Sequence, residues 1–496
     1  MMTANIAEIA KAIHAQMNRD ESFDITPHVV SDSRQITQGD IFVAINGENV
    51  DGHDYVQTAY EAGAVAAIVE HEIPSCDIVQ LIVTNSVRAL GDLARFNIQK
   101  RRQLQDDFTI IGITGSVGKT TTKDLLFGIL SRIAPTVAPV GSFNNEIGLP
   151  LTCLQVNEQT RYLVAEMGAN HVGEIAYLTT IAPPDISIVL KVGVAHLGEF
   201  GSVEQIAQAK SEIVRGLVSN GVAVLNKADE HVKVMSVLAP HTFWFDPVVR
   251  NSSNAEEEHD SNCLYATNLQ MDALAHPRFT LVYGEKQLPV SLQISGEHNV
   301  ANAMAAIAAV IQCGINVETA VRNIALVQSI SPHRMAISTV LFDDGVKFTL
   351  IDDSFNANPD SMKAGIRGLL EWHEAKKHQD NQNFTAVCTI AVLGAMLELG
   401  ENSLLLHRQI GEFCAQQGVQ YLIAVGSKTD EMLNASAQAI AQGAQGEGTN
   451  ISIECVQGIA QVKQLVHDIA KNNTESVVLL KGSHASGLSE LAQDWQ

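Results

Sequence analysis

The chain has 496 residues, enough for roughly three domains at ~100–200 residues each. Hydrophobic residues make up 46% and charged residues 18%, a globular composition, and 55 acidic against 32 basic side chains leave a formal net charge of −23. So acidic a surface repels nucleic acid and anionic membranes, and 5% aromatic content offers few platforms for stacked bases, so no nucleic-acid or membrane partner is expected. A phosphate-bearing ligand would need a locally basic or magnesium-filled pocket. No apolar run is long enough to span a bilayer, and the N-terminus lacks the basic and apolar regions of a signal peptide. The seven cysteines (Cys76, Cys153, Cys263, Cys313, Cys388, Cys414, Cys455) are scattered, none at C-x-x-C spacing, which fits a reducing cytoplasm. A monomer is expected.

In chain order, Met1 to Arg19 reads as an amphipathic helix. Asp40–Ile45, Ala64–Val69 and Gln80–Thr84 read as strands, and Tyr55–Gly63 and Val87–Lys100 as helices. The charged stretch from Lys100 to Asp107 reads as a linker. Apolar strands then recur at Thr109–Ile113, Tyr162–Ala165, Ile186–Val192 and Val222–Leu225, alternating with helical segments, as in a parallel sheet covered on both faces. Asp246–Asn262 is polar enough for a surface loop, and Gly296–Cys313 reads as an alanine-rich helix capped by Gly314. After Ser331-Pro332 a third α/β series follows, with strands Phe348–Asp352, Thr389–Leu393, Tyr421–Val425 and Val477–Leu480.

The strongest local signal is Ile110-Ile111-Gly112-Ile113-Thr114-Gly115-Ser116-Val117-Gly118-Lys119-Thr120-Thr121-Thr122, a strand, a glycine-rich turn and a helix start. Glycines let backbone N–H groups close on phosphate oxygens, and the helix N-terminus adds positive potential. Lys119 would reach the terminal phosphates and the Thr120 hydroxyl would ligate Mg²⁺. The loop departs from G-x-x-x-x-G-K-[ST], because Ile113 stands where the first glycine is required. Glu166 ends an apolar strand, where a parallel sheet presents its ligand-binding edge. His196 follows another such strand. Taken alone, His196 reads as a hydrogen-bonding turn residue and Lys210 as an exposed helix lysine.

Together these segments resemble the ATP-dependent muramyl ligases, which build the peptide stem of bacterial cell-wall precursors, and the resemblance covers nearly the whole chain. Ser31-Asp32-Ser33-Arg34, Gly39–Ala44 and Asp51-Gly52-His53 look like that family's UDP-sugar domain, which makes Ser33, Arg34, Asn46 and Gly47 the implied substrate contacts. Thr114–Thr120 matches the family's own phosphate loop, so Gly115, Ser116, Val117, Gly118, Lys119, Thr120 and Thr121 would hold ATP. Ser142–Pro150 matches a segment near the substrate, implying Asn144 and Asn145. Glu166 and His196 match magnesium ligands, joining Thr120. Lys210 matches the lysine that CO₂ converts to a carbamate, an anion able to ligate a second Mg²⁺. His298, Asn299 and Asn302 match the adenine side, and Arg334 the arginine that reaches the γ-phosphate. Asp353–Ser361 matches the segment at ATP's ribose and phosphates, implying Asp353 and Asn356 for ATP and Asn358 and Ser361 for substrate.

Leu393–Gly400 and Lys481–His484 are similar to segments of the branch that adds D-alanyl-D-alanine to UDP-N-acetylmuramoyl-tripeptide. That branch usually carries Asp where this chain has Ala395 and Arg where it has His484. Losing the negative charge would leave an arginine unpaired, so the two changes are expected to be coupled.

The resemblance implies three α/β domains: 1–106 for the UDP-sugar substrate, 107–329 with a central, mostly parallel ATP-binding sheet, and a Rossmann-like 330–496. It also implies catalysis by Lys119, Lys210, His196 and Arg334, with γ-phosphoryl transfer to a carboxylate, attack by an amine on the acyl phosphate, and domain closure over ATP. Related amide ligases (diamino-acid-adding or folylpolyglutamate-type) and a non-catalytic nucleotide-binding protein are the alternatives. The chain lacks the Asp-Asn-Pro-Arg motif of the first, and its UDP-sugar-type N-terminal segment is foreign to the second.

Overall fold

A computed structural model describes residues 1–47, 50–194, 197–250, 261–272, 274–328, 331–379, 387–446 and 450–495. Successive thirds of the chain each build one large β-sheet. The first has strands β1 (Gln16–Met17), β2 (Val29–Val30), β3 (Ile41–Val43), β4 (Ala66–Val69) and β5 (Val79–Ile82), in the order β1-β5-β4-β3-β2, with only β1 antiparallel to its neighbour. The helix expected over Met1–Arg19 is confined to Ile6–Ala12. Asn5 caps its start by accepting from the Ala7 N–H, while His14 adopts a positive φ and the next residues leave to pair with β5. Strand pairing outweighs helical periodicity there.

The second sheet has nine strands: β6 (Thr109–Thr114), β7 (Thr136–Val137), β8 (Tyr162–Glu166), β9 (Ile186–Val189), β10 (Val222–Asn226), β11 (His241–Arg250), β12 (Cys263–Met271), β13 (Pro277–Tyr283) and β14 (Lys286–Ser291). Their order is β14-β13-β12-β11-β10-β9-β6-β8-β7, and all pairings are parallel except those of β13 with its two neighbours. The sheet is therefore mostly parallel, as expected, with an antiparallel hairpin added at one edge. Asp246–Arg250, expected as loop, continues β11, whereas 251–260 lie outside the described residues. The hairpin β13–β14 turns at Gly284 and Glu285, and that two-residue turn was the available sequence signal for it. Strand β9 stops at Val189, before the expected Val192, and the Lys191 carbonyl beyond it accepts from the Ser116 N–H of the glycine-rich loop.

The third sheet comprises β15 (Ala336–Leu341), β16 (Lys347–Asp352), β17 (Val387–Leu393), β18 (Tyr421–Gly426), β19 (Ser452–Gln457) and β20 (Glu475–Lys481). Its order is β15-β16-β20-β17-β18-β19, parallel except for the β15–β16 pair.

The stretch expected as a linker begins inside a helix, Ser86–Arg102, which joins the first two sheets. Its apolar face belongs to one continuous core, running from Ile6 and Leu81 through Leu90 and Leu93 to Leu149 and Ile213. Asn97 is fully buried in this seam. Its amide oxygen accepts from the Met2 N–H at 2.8 Å, and its amide nitrogen donates to the Cys153 and Val156 carbonyls at 2.9 and 3.0 Å. Asn97→Ala strands the buried Met2 N–H and Val156 carbonyl, while the Cys153 carbonyl keeps the Val156 N–H, so a loss of ~2–4 kcal/mol is expected, read by denaturant unfolding.

Candidate active site

The glycine-rich loop connects β6 to the helix Lys119–Leu130. Gly118 sits at φ +84, and a Cβ there would collide with the Asn302 amide oxygen, so both backbone and space demand glycine. The loop is clamped from the side: the Gly193 N–H donates to Ser116 Oγ at 2.9 Å. Lys119 Nζ donates to the Gly115 carbonyl at 2.8 Å. Loss of hydration pushes the Lys119 ammonium's pKa down, Glu166 offsets part of this, and Arg334 pushes it down further.

Glu166 ends β8 with no exposed surface. Its Oε1 accepts from Asn144 Nδ2 at 2.8 Å and from the Thr120 hydroxyl at 3.3 Å. Its Oε2 is buried without a hydrogen-bond partner. Arg334 reaches in from the third sheet's unit: one guanidinium nitrogen donates to Thr120 Oγ1 at 3.2 Å, and the group stacks 4.3 Å from the Phe355 ring centroid. The Arg334 Nε is likewise buried and unpartnered. One acceptor without a donor and one donor without an acceptor thus flank the same threonine. Such groups are costly to bury unless something completes them.

Lys210, on the helix Val203–Arg215, is buried rather than exposed as the lone-residue reading had it. Burial, then the nearby Lys119 charge, push its amine down to about 7 against a partial counterweight from Glu212. His196 lies outside the described residues, as does Ala195. Among the described residues no three His, Cys, Asp or Glu side chains gather as a metal site.

Lys119, Thr120, Glu166 and Arg334 open on a cleft of about 800 Å³ between the second and third sheets, which Lys210 does not line. Ser116, Val117, Gly118, Lys119, Thr120, Thr121, Asn144, Glu166, Asn299, Asn302, Arg334, Asp353, Asn356, Asn358 and Ser361 all line it. Asn299 and Asn302 form a buried relay, in which Asn302 Nδ2 donates to Asn299 Oδ1 at 2.8 Å and Asn302 Oδ1 accepts from Thr122 at 3.4 Å. Asn358 and Ser361 cap the helix Pro359–Gln379 reciprocally, at 3.0 and 2.9 Å. Asn145 is turned away, its side chain accepting from the Gly148 N–H at 2.9 Å. Ser33, Arg34, Asn46 and Gly47 lie apart on the first sheet's unit. There Arg34 grips Asp32 through two hydrogen bonds, holding that carboxyl down to about 2. Asn46 bridges to Asp51.

Several cleft residues were not singled out from sequence. Lys191 pairs with Asp360 at 3.3 Å, and Lys363 and Arg367 add positive charge. Lys481, 2% exposed, donates to Asp353 at 2.6 Å. It ends strand β20, so the strand-end rule that flagged Glu166 could have flagged it. Asp353→Ala leaves that buried ammonium without its counter-charge, held only by the Asn356 and residue-353 carbonyls at 3.3 and 3.5 Å. A loss of ~3–5 kcal/mol is expected, visible as a lowered unfolding midpoint without nucleotide. A second cavity of about 460 Å³ adjoins the cleft, lined in part by Asn358, Leu397, Glu398 and His484. Ala395 is tied to the segment that carries His484: the Ser483 N–H donates to the Ala395 carbonyl at 2.9 Å, and the Ala395 N–H to Ser486 Oγ at 3.1 Å.

Fold and cleft define a three-sheet α/β protein with a glycine-rich loop of the phosphate-binding type facing a second α/β unit. Known proteins place it further. "Mur ligase family, catalytic domain" matches residues 27–97, "Mur ligase middle domain" 113–310, and "Mur ligase, glutamate ligase domain" 333–484. The UDP-N-acetylmuramoyl-tripeptide–D-alanyl-D-alanine ligase of Mycobacterium tuberculosis is 36% identical over 519 aligned positions, covering 99% of this chain and 97% of the relative. The crystal structure of MurF from Acinetobacter baumannii superposes with a TM-score of 0.81 at 30% identity, covering 99% of this chain and 98% of that one. The MurF ligase of Thermotoga maritima, solved with ADP, gives 0.74 at 26% identity, covering 95% and 97%. The chain belongs to the Mur ligase family.

Proposed function

We infer that this protein is an ATP-dependent ligase that adds D-alanyl-D-alanine to UDP-N-acetylmuramoyl-tripeptide in peptidoglycan precursor synthesis, through an acyl-phosphate intermediate. The observation that carries this reading is the pair of orphaned atoms beside Thr120, Glu166 Oε2 and Arg334 Nε, set at the mouth of a phosphate loop. The first suits a cation and the second a phosphate oxygen, the two components of a magnesium nucleotide.

The chain would divide its work among three units, 1–106, 107–329 and 330–496. Ser33, Arg34, Asn46 and Gly47 would hold the UDP-sugar end. The loop from Gly115 to Thr121 would cradle the phosphates, with Lys119 released from the Gly115 carbonyl onto the terminal ones. Asn299, Asn302, Asp353 and Asn356 would fix the nucleoside end, and Asn144, Asn358 and Ser361 the peptide. Thr120 and Glu166 would hold one magnesium, with His196 and a carbamate on Lys210 completing two sites. Bound there, magnesium would neutralise the triphosphate and orient the tripeptide's terminal carboxylate. The lowered pKa of Lys210 suits the carbamate: the ammonium gives up one proton, the neutral nitrogen adds to CO₂, a second proton leaves, and the side chain ends as an anion. Arg334 would stabilise charge on the γ-phosphoryl as it passes to the carboxylate. The dipeptide amine would displace phosphate from the acyl phosphate, approaching from the cavity at Glu398 and His484.

Mass spectrometry of the product from UDP-N-acetylmuramoyl-tripeptide, ATP and D-alanyl-D-alanine tests the reading. The lengthened pentapeptide with one phosphate released per product is expected, and no nucleotide consumption would overturn it. We place the reaction in the cytoplasm and the working form as a monomer. Among the described residues no helix is long and apolar enough to cross a membrane.

A further inference from the structure

We propose that His333 is a positioning residue that, with Asp352, aims Arg334 at the terminal phosphate. The proposal rests on the nucleotide role given to Arg334 above.

Arg334 sits between two residues in left-handed backbone, His333 at φ 60 and Met335 at φ 52. Side chains other than glycine rarely adopt this conformation, and where they do the surroundings hold them there. For His333 the hold is specific. Its Nδ1 lies 2.7 Å from Asp352 Oδ2, and Asp352, at the end of β16, is 1% exposed. Gln493 Nε2 approaches the opposite ring nitrogen at 3.4 Å. An amide N–H facing Nε2 makes that atom the acceptor, so Nδ1 carries the proton and donates to Asp352. The other Asp352 oxygen accepts from the Ser354 hydroxyl at 2.6 Å and from the Ser354 N–H at 3.2 Å. The His333 carbonyl meanwhile accepts from the Phe355 N–H at 3.4 Å.

The ring and carbonyl of His333 therefore tie the turn carrying Arg334 to the Asp352–Phe355 segment, whose Phe355 ring underlies the guanidinium. Without this tie the turn could relax to ordinary φ, swinging Arg334 off Thr120 without disturbing either sheet. Neither His333 nor Asp352 lines the cleft, so they act on nucleotide only through Arg334.

The test is the ratio of the dissociation constants of ADP and of a non-hydrolysable ATP analogue carrying the γ-phosphate, measured by calorimetry with magnesium. It requires no turnover and therefore stands apart from the ligation assay. Arg334→Ala should lower the selectivity for the γ-phosphate by about tenfold, the scale of one hydrogen bond to a charged group. His333→Ala should lower it comparably while ADP affinity stays within about twofold, and the double variant should fall no further than Arg334→Ala alone. His333→Asn should restore most of the selectivity, because asparagine tolerates left-handed backbone and its amide can donate to Asp352. Selectivity unchanged in His333→Ala, or losses that add in the double variant, would overturn the positioning role. If Arg334→Ala itself keeps full selectivity, the nucleotide role of Arg334 falls and the inference with it. An ADP affinity that drops as far as the analogue's would mark a merely structural histidine and also overturn it.

Discussion

Lys210→Ala is expected to lower kcat for ligation by about 10²–10³-fold or more, the scale for removing one preorganised charged group from a reacting centre. The lysine is 2% exposed, and burial with the Lys119 charge nearby brings its amine down to about 7 from 10.5. CO₂ adds only to the neutral amine. At pH 8 most of it is neutral, and each unit below 7 cuts that fraction about tenfold, so an acid limb near pH 7 that moves with added bicarbonate is expected. Short carboxylates such as acetate or formate supplied in solution should restore part of the activity in Lys210→Ala, because they return the missing anion to a vacated space. Stability carries an independent sign. The folded pKa lies below the unfolded one, so between pH about 7 and 10.5 the unfolded chain binds more protons at this residue. In CO₂-free buffer the wild-type protein should therefore gain stability with rising pH over that window relative to Lys210→Ala. Near-normal turnover in the alanine variant, measured by phosphate release, would remove the carbamate from the reaction.

The parts of this site that could be read from the sequence are those whose determinants are local. A strand of Ile110, Ile111 and Ile113, glycines at 115 and 118 and a helix start at Lys119 specify a phosphate-type loop within a dozen residues. Glu166 needed only the rule that parallel strands present their C-terminal ends to a ligand. Contacts made across the chain were silent. Asn144 on Glu166, Lys191 with Asp360, and Arg334 on Thr120 each join residues whose sequence separation carries no periodic signal. The edge hairpin was missed for a different reason. Its second strand, β14, is mostly exposed and polar, with Lys286 and Gln287, so apolar alternation is weak there, although Arg278-Phe279-Thr280-Leu281 of β13 does alternate. The N-terminal helix was overextended because the 3.6-residue pattern was followed past the point where β1 finds a partner. Lys210 shows the limit of single-residue priors: composition puts lysine outside, and the packing of its helix against the central sheet puts this one inside.

Glu166→Gln should separate stability from function. Glutamine keeps the shape of the side chain, and its carbonyl oxygen can still accept from Asn144 and Thr120 as Glu166 Oε1 does at 2.8 and 3.3 Å. What changes is Oε2, a buried carboxylate oxygen with no hydrogen-bond partner, which becomes part of a neutral amide. Without ligands that oxygen carries a desolvation cost of ~1–3 kcal/mol, but the amide nitrogen that replaces it is itself a buried donor and the charge that favours the Lys119 ammonium is gone, so the free variant should unfold within a few degrees of the wild type, at roughly 2–4 °C per kcal/mol for units of this size. With magnesium and nucleotide the two proteins should part. Saturation to ~100 times Kd adds about 2.7 kcal/mol to a protein that binds, and the variant, lacking the charge that would hold the metal beside Thr120, should gain far less. Its ligation rate should drop by about 10²–10³-fold, with the magnesium requirement displaced to higher concentration. Lys119 gives the same substitution a second readout. The Glu166 charge now holds its ammonium pKa up against burial and Arg334, so in the variant Lys119 should titrate lower still. Calorimetric scans of both proteins, with and without magnesium nucleotide, decide the matter. An equal rise in both midpoints on adding magnesium nucleotide would mean that Glu166 holds no cation.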